Sequence, residues 1–412
     1  MTNIFLRIIL LIPIIQILLD LVMILQPELK SIIGLLRLIF VLIVIIYFYI
    51  SINVANKLTS RILIFYLLYN FILCFFTSDL TESLVDGFLK LFISLMMIPV
   101  GLYAGLHDRN YFNKLTFWML IIMVLNYGVA QYFKIGNSLY DEDSFYSGGA
   151  AATTPIIIAL CIILMLNALN TNRINYPKNI ILILIILSTL IVLFSLKRGA
   201  IIAMIGGILF YLLNSTSRSI FSWRIIIISI GILFFINQYA ETFNQRINAR
   251  TTERNNLENE NRYKESFYVF NELENSSITN LVFGREAFNS KVILKKYFGK
   301  ERQLHVDYNI LIHGTGILGI VLYLYLYFDL YLKSKSVQRN ISKLGEFSRK
   351  ETIIVKENHA LIIAILISSL LMSFSGGLQF SSYRIILFLF IGYYIGQSQK
   401  HLFLSKLKTI EN

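Results

Sequence analysis

NIILILIILSTLIVLFSLKRGAIIAMIGGILFYLL, residues 179–213, holds two apolar runs, 179–195 and 199–213, parted by almost no polar sequence. Within it Phe194-Ser195-Leu196-Lys197-Arg198-Gly199-Ala200 leaves no loop long enough to carry two cations away from hydrocarbon. Runs of about 17–25 apolar residues are what a bilayer core of roughly 30 Å demands. The stretch therefore reads as two membrane-crossing helices joined by a tight turn that bears Lys197 and Arg198. An ionisable residue beside hydrocarbon marks a functional site by default.

Working outward, the 412 residues are 56% hydrophobic and 15% charged, with mean hydropathy +0.66, which excludes an ordinary soluble domain. Twelve apolar runs are expected to span, near 4–26, 31–55, 61–77, 88–106, 115–134, 150–168, 179–195, 199–213, 222–238, 306–332, 358–376 and 383–397. The expected fold is thus an all-α polytopic membrane protein. Its organisation is 1–238 with helices one to nine, 239–305 as a large extracytoplasmic loop, and 306–412 with helices ten to twelve and a cytoplasmic tail. The first run has no small-residue cleavage site behind it and reads as a retained span.

A net charge of +13 would suggest nucleic acid in a soluble chain, but its distribution points to a membrane. With the N-terminus inside, more than half of the 37 Lys/Arg fall in cytoplasmic segments, including Arg7, Lys57, Arg61, Arg173, Lys178 and seven in 333–357. Two short outer loops are acidic, Asp79, Glu82 and Asp86, then Asp141, Glu142 and Asp143. That alternation obeys the positive-inside rule with both termini cytoplasmic. Lys197 and Arg198 fall on the outer side, against the bias. Arg37, Lys90 and Asp20 stand at a similar depth; snorkelling to the interface accounts for each one singly. Cys74 and Cys161 lie inside apolar runs and read as small buried hydrophobes.

The loop carries Arg246, Arg250, Arg254, Glu258 and Arg262 at four-residue intervals, the spacing of one helix face. Most of that stripe reads as a solvated face. An apolar patch at 278–283 ends in Gly284, a turn signal. After the loop come His305-Val306-Asp307-Tyr308-Asn309 and then Gly314-Thr315-Gly316-Ile317-Leu318-Gly319, opening the tenth span. Neutral imidazole is the side chain best matched to removing a proton near pH 7. His313, two turns deeper, reads as a packing residue. No Asp-x-Asp or His/Cys ligand set stands out, so neither metal nor other cofactor is expected.

In their order these residues resemble the O-antigen ligase and Wzy-type polymerase superfamily of bacterial envelope glycan enzymes. Ser195 to Gly199 is similar to the family's Ser-Arg-Gly turn with two residues inserted, and Asn261-Arg262-Tyr263-Lys264 to its arginine-plus-aromatic element. Phe283-Gly284-Arg285 resembles its Gly-x-Gly stretch, one glycine short. His305, eleven residues before Gly316 and fourteen before Gly319, resembles its histidine–glycine signature. Ser147-Gly148-Gly149 to Thr154-Pro155 resembles a glycine–proline span entry, without the arginine that often precedes it. Val306 departs from the Asn, Ser or Gln that ligases carry there.

The resemblance implies a GT-C-like enzyme of the bacterial cytoplasmic membrane. It would join undecaprenyl-diphosphate-linked oligosaccharide units at the outer face, with a chain-length regulator and a flippase as partners besides membrane lipids, and no nucleic acid. His305 would be the base and Arg198 the principal cation on the leaving diphosphate. Arg262, Arg285, Lys197, Arg250 and Tyr308 would bind diphosphate or glycan. The alternatives are a ligase that moves glycan onto lipid A core or protein, a flippase for lipid-linked sugars, and an assembly scaffold.

Overall fold

The computed structural model describes residues 2–108, 111–135, 153–173, 176–195, 197–216, 261–299, 303–344, 349–377 and 380–411. All regular structure among them is helical. We number the principal helices α1 (Thr2–Leu25), α2 (Lys30–Ser51), α3 (Arg61–Cys74), α4 (Glu82–His107), α5 (Tyr111–Phe133), α6 (Thr154–Asn170), α7 (Lys178–Phe194) and α8 (Arg198–Asn214). They are followed by α9 (Asn261–Glu274), α10 (Ile278–Phe283), α11 (Lys291–Phe298), α12 (Asp307–Ser342), α13 (Arg349–Ser373) and α14 (Ser381–Glu411).

Six helical stretches among the described residues are long and apolar enough to cross a membrane, within α1, 27–51, α4, α5, α12 and α13. Four shorter apolar helices, α3, α6, α7 and α8, accompany them. The protein is therefore a helical membrane protein. The run near 222–238 and the arginine stripe from 246 to 258, with Arg250, lie outside the described residues. In the basic stretch 333–357, α12 continues to Ser342 and α13 begins at Arg349. Lys333 pairs with Asp329 one turn earlier at 2.7 Å, the i,i+4 spacing that supports a charged helix.

α14 is the central helix, with residues 382–398 buried throughout. It packs on α4 through two glycine pairs four residues apart, Gly101 with Gly105 and Gly392 with Gly396. A methyl on Gly392 would strike the Ile98 carbonyl, and one on Gly101 the Leu389 carbonyl. In lipid, helices gain little from apolar contact alone, so small residues that let backbones touch decide such a pairing.

Polar groups collect at two ends of the bundle. At one, Asp20 and Arg37 form a buried ion pair at 2.5 Å, and Asp20 also accepts Thr153 Oγ1 at 2.9 Å and Ser382 Oγ at 2.7 Å. Arg37 is thus neutralised inside the protein and does not snorkel. Lys90 pairs with Asp86 one turn earlier at 2.5 Å, in an exposed ion pair. At the other end buried Glu357 accepts Tyr211 Oη at 2.7 Å and Ser215 Oγ at 2.9 Å, and Arg173 meets Gln397 and Asn358.

Candidate functional site

The segment 261–299 forms a small helical cap whose Val269, Leu273, Ile293 and Leu294 form one core with Leu304 and with Ile310 of α12. Tyr268 stacks on Tyr297 at 4.2 Å. The cap is tied to the start of α4. Glu286 accepts Ser78 Oγ at 2.8 Å, Lys291 pairs with Glu82 at 2.9 Å, and Gln303 donates to Glu82 at 2.9 Å. That bond to Glu82 raises the Lys291 pKa.

His305 lies where the cap hands over to α12, in a bend two residues before the helix. Glu265, on α9 and wholly buried, holds it twice. One carboxylate oxygen accepts the His305 backbone N–H at 2.9 Å, and the other lies 2.9 Å from Nδ1. With Glu265 as a carboxylate, which can only accept, the proton sits on Nδ1 and Nε2 is left as the basic nitrogen. The ring itself is 39% exposed. An imidazole gripped by a carboxylate in this way has the geometry that general-base catalysis calls for. One turn on, Asn309 Nδ2 donates to Ser266 Oγ at 2.8 Å, which fixes α12 against α9.

Gly284 and Gly316 make the second junction. Both have positive φ, +78° and +65°. A methyl on Gly284 would come within 2.5 Å of the Thr315 and Gly316 amide nitrogens. α12 is broken at Gly316, and the turn after α10 sits in the break. The carbonyls freed by the break are taken up: Arg285 N–H donates to His313 O at 2.8 Å, and Tyr69 Oη to Thr315 O at 2.7 Å. Phe283-Gly284-Arg285 and Gly314-Thr315-Gly316, far apart in sequence, therefore form one unit.

Arg285 is exposed, with its guanidinium 3.9 Å from Glu272. Glu272 is more tightly engaged by Lys296 and by Tyr297 Oη at 3.2 Å. Burial works against the Glu272 charge, but Lys296, Tyr297 and Arg285 outweigh it and hold the carboxyl below its usual range. Glu272 is seven residues beyond Glu265 on α9, about 10 Å along the axis. Arg262 belongs to the first turn of α9. The side chain of Arg262 lies outside the described residues.

Arg198 is exposed at the first turn of α8, and Lys197 Nζ stands 5.1 Å from the Phe380 ring. Gly199 beside them lies against Ser375 and Met372 at the end of α13. The same turn reaches α12, since a methyl on Gly377 would stand 3.4 Å from Asp307 Oδ2. Residues 372–377 are thus the common neighbour of the start of α8, with Arg198, and of the start of α12, which follows His305. Tyr308 has a different engagement: its hydroxyl donates to Leu370 O at 2.9 Å and its ring meets Phe374 edge-on at 4.8 Å.

No protein-family model matches this chain, and no curated protein matches it either.

Two residues escaped the sequence reading. Glu265 sits among alternating charges, and only the fold shows which carboxylate meets His305. Arg384 was legible: it is the lone cation of the apolar run 383–397, and in the structure it is 6% exposed.

Proposed function

We propose that the protein is a membrane glycosyltransferase, a polymerase of surface polysaccharide that joins lipid-diphosphate-linked oligosaccharide units at the outer face of the bacterial cytoplasmic membrane. Twelve spans with both termini cytoplasmic belong to this reading, with the His305 cap outside. The observation that carries it is the two-point grip of buried Glu265 on His305, with the Arg198 turn one neighbour away.

In this reading Nε2 of His305 takes the proton of the attacking sugar hydroxyl. The hydroxyl oxygen bonds to the anomeric carbon as the bond from that carbon to the diphosphate breaks, and the electron pair leaves with the diphosphate. Attack from the face opposite the leaving group inverts the anomeric centre. Arg198, with Lys197 beside it, stabilises the negative charge that develops, since fixed cations in a water-poor site act most strongly there. Arg262 and Arg285, from α9 and the turn after α10, are further candidates for the phosphate oxygens because a guanidinium binds them in a fork.

The test is transfer by the purified protein in bilayers with the lipid-linked repeat unit of its own cell. A product ladder that His305→Ala abolishes supports the polymerase. A single transfer that requires an added core or protein acceptor would mean a ligase, which runs the same chemistry on another hydroxyl.

A second reading has one observation in its favour. The break of α12 at Gly316 resembles the discontinuous helices of transporters. Passage of lipid-linked sugar across the bilayer with no transfer would replace the enzyme by a flippase.

A further inference from the structure

A cavity of about 290 Å³ lies between the start of α4, the cap and the starts of α12 and α14. Apolar side chains of Leu91, Phe288, Ile310 and Leu311 form part of its wall. Five charged residues line it, and four are already matched: Lys90 with Asp86 at 2.5 Å and Lys291 with Glu82 at 2.9 Å. The fifth is Arg384. It is 6% exposed, its Nε has no hydrogen-bond partner, and among the described residues no carboxylate lies within ion-pair distance of its guanidinium. The carboxylate whose charge reaches it is that of buried Asp307, at the start of α12. Tyr66 Oη is also buried without a partner.

A buried guanidinium without fork contacts is costly. Here it faces a space at the small end of ligand cavities, which run about 300–1,000 Å³. We propose that this cavity is a binding site for one oxyanion carried on a small polyhydroxylated body, with the anion on Arg384. The lining favours a single charge, because Lys90 and Lys291 are matched by Asp86 and Glu82 and only Arg384 remains over. Those same carboxylates accept hydroxyl protons, and Phe288 offers an apolar face to a ring. Gln303, one of the lining residues, stands two residues before His305 in the chain. Within the glycosyltransferase reading, on which this last step alone rests, the ligand is an acidic sugar unit or a sugar–phosphodiester of the substrate. Anion binding itself needs no turnover.

The experiment uses the full chain in neutral-lipid nanodiscs. Thermal protection is measured with glucuronate, with glycerol 1-phosphate and with uncharged glucose, for the wild type and for Arg384→Gln. We expect protection by an acidic compound but not by glucose, and an apparent affinity lowered about tenfold or more in the variant. Glucuronate acting alone would identify a carboxylate ligand, and glycerol phosphate acting alone a phosphate. Should Arg384→Gln fail to fold, Arg384→Lys keeps the charge without the fork and should bind more weakly than the wild type. Equal protection by glucose, no protection by either acid, or undiminished protection in a folded Arg384 variant would each overturn the proposal. Binding that persists while transfer is absent would remove the enzyme reading and leave the anion site standing.

Discussion

Glu265 grips His305 at two points, 2.9 Å to its backbone N–H and 2.9 Å to Nδ1, from a helix forty residues earlier in the chain. If the imidazole is the base, the carboxylate matters because it sets the tautomer. His305→Ala should lower transfer by about 10²–10⁴-fold, the usual worth of a general base. Glu265→Gln keeps the size of the side chain but can offer Nδ1 an amide N–H in place of an acceptor. Its loss should appear mainly in kcat, with KM for the lipid-linked donor little changed. A Glu265→Gln enzyme with wild-type kcat would sink the orienting role.

The glycine junction makes a stability prediction. Ala at Gly316 must hold a positive φ and push its methyl against Val282 O and Gly284 N. A strained position of this kind costs about 1–3 kcal/mol. Gly34→Ala, with nothing within 4 Å, is the matched control in another helix. Thermal unfolding in detergent should separate the two, and equal midpoints would refute the junction.

The contact of α4 with α14 gives a harsher case. Gly392→Leu and Gly396→Leu place side chains where carbonyls of Ile98 and Leu102 stand. Both should fail to yield monodisperse protein, whereas Gly128→Leu on α5, in open space, should be recovered normally. Size-exclusion profiles decide it.

The buried pair of Asp20 and Arg37 predicts a characteristic cycle. Removing one partner of a buried ion pair costs about 3–5 kcal/mol because the other is left charged and buried. Asp20→Asn or Arg37→Met alone should be severely destabilising, and the double variant should regain much of the loss. Additive single effects in unfolding measurements would contradict the pairing.

Acid should loosen the cap. The Glu272 carboxyl has a lowered pKa in the folded protein, so its contribution is complete above the ordinary glutamate value of about 4.3 and fades as pH falls below it. Hydrogen exchange in α9 and α11 should accelerate through that window, and Glu272→Gln should flatten the response.

How much of this was legible depends on the range of the interaction. Apolar runs announced helices because burial in lipid is written locally, and 179–195 and 199–213 became α7 and α8 with Arg198 at the junction. The turn signal at Gly284 was local too. What filled the turn was not, since Gly316 lies across a helix, a loop and the His305 bend. Arg37 was read as an interfacial cation because its partner, Asp20, belongs to another span. The four-residue spacing of Gly101 with Gly105 and of Gly392 with Gly396 stands in the sequence, but it does not say which helix each pair meets. Close packing is announced only by the absence of a side chain.

The break at Gly316 has a practical corollary for anyone building chimeras. Since the α12 backbone yields where the cap's turn enters, the cap and α12 share one joint and cannot be exchanged as separate cassettes. A graft of residues 261–299 into a related scaffold should dock only if 303–319 travels with it. Substrate preference engineered into the cap alone would then be inherited together with the membrane helix that seats it.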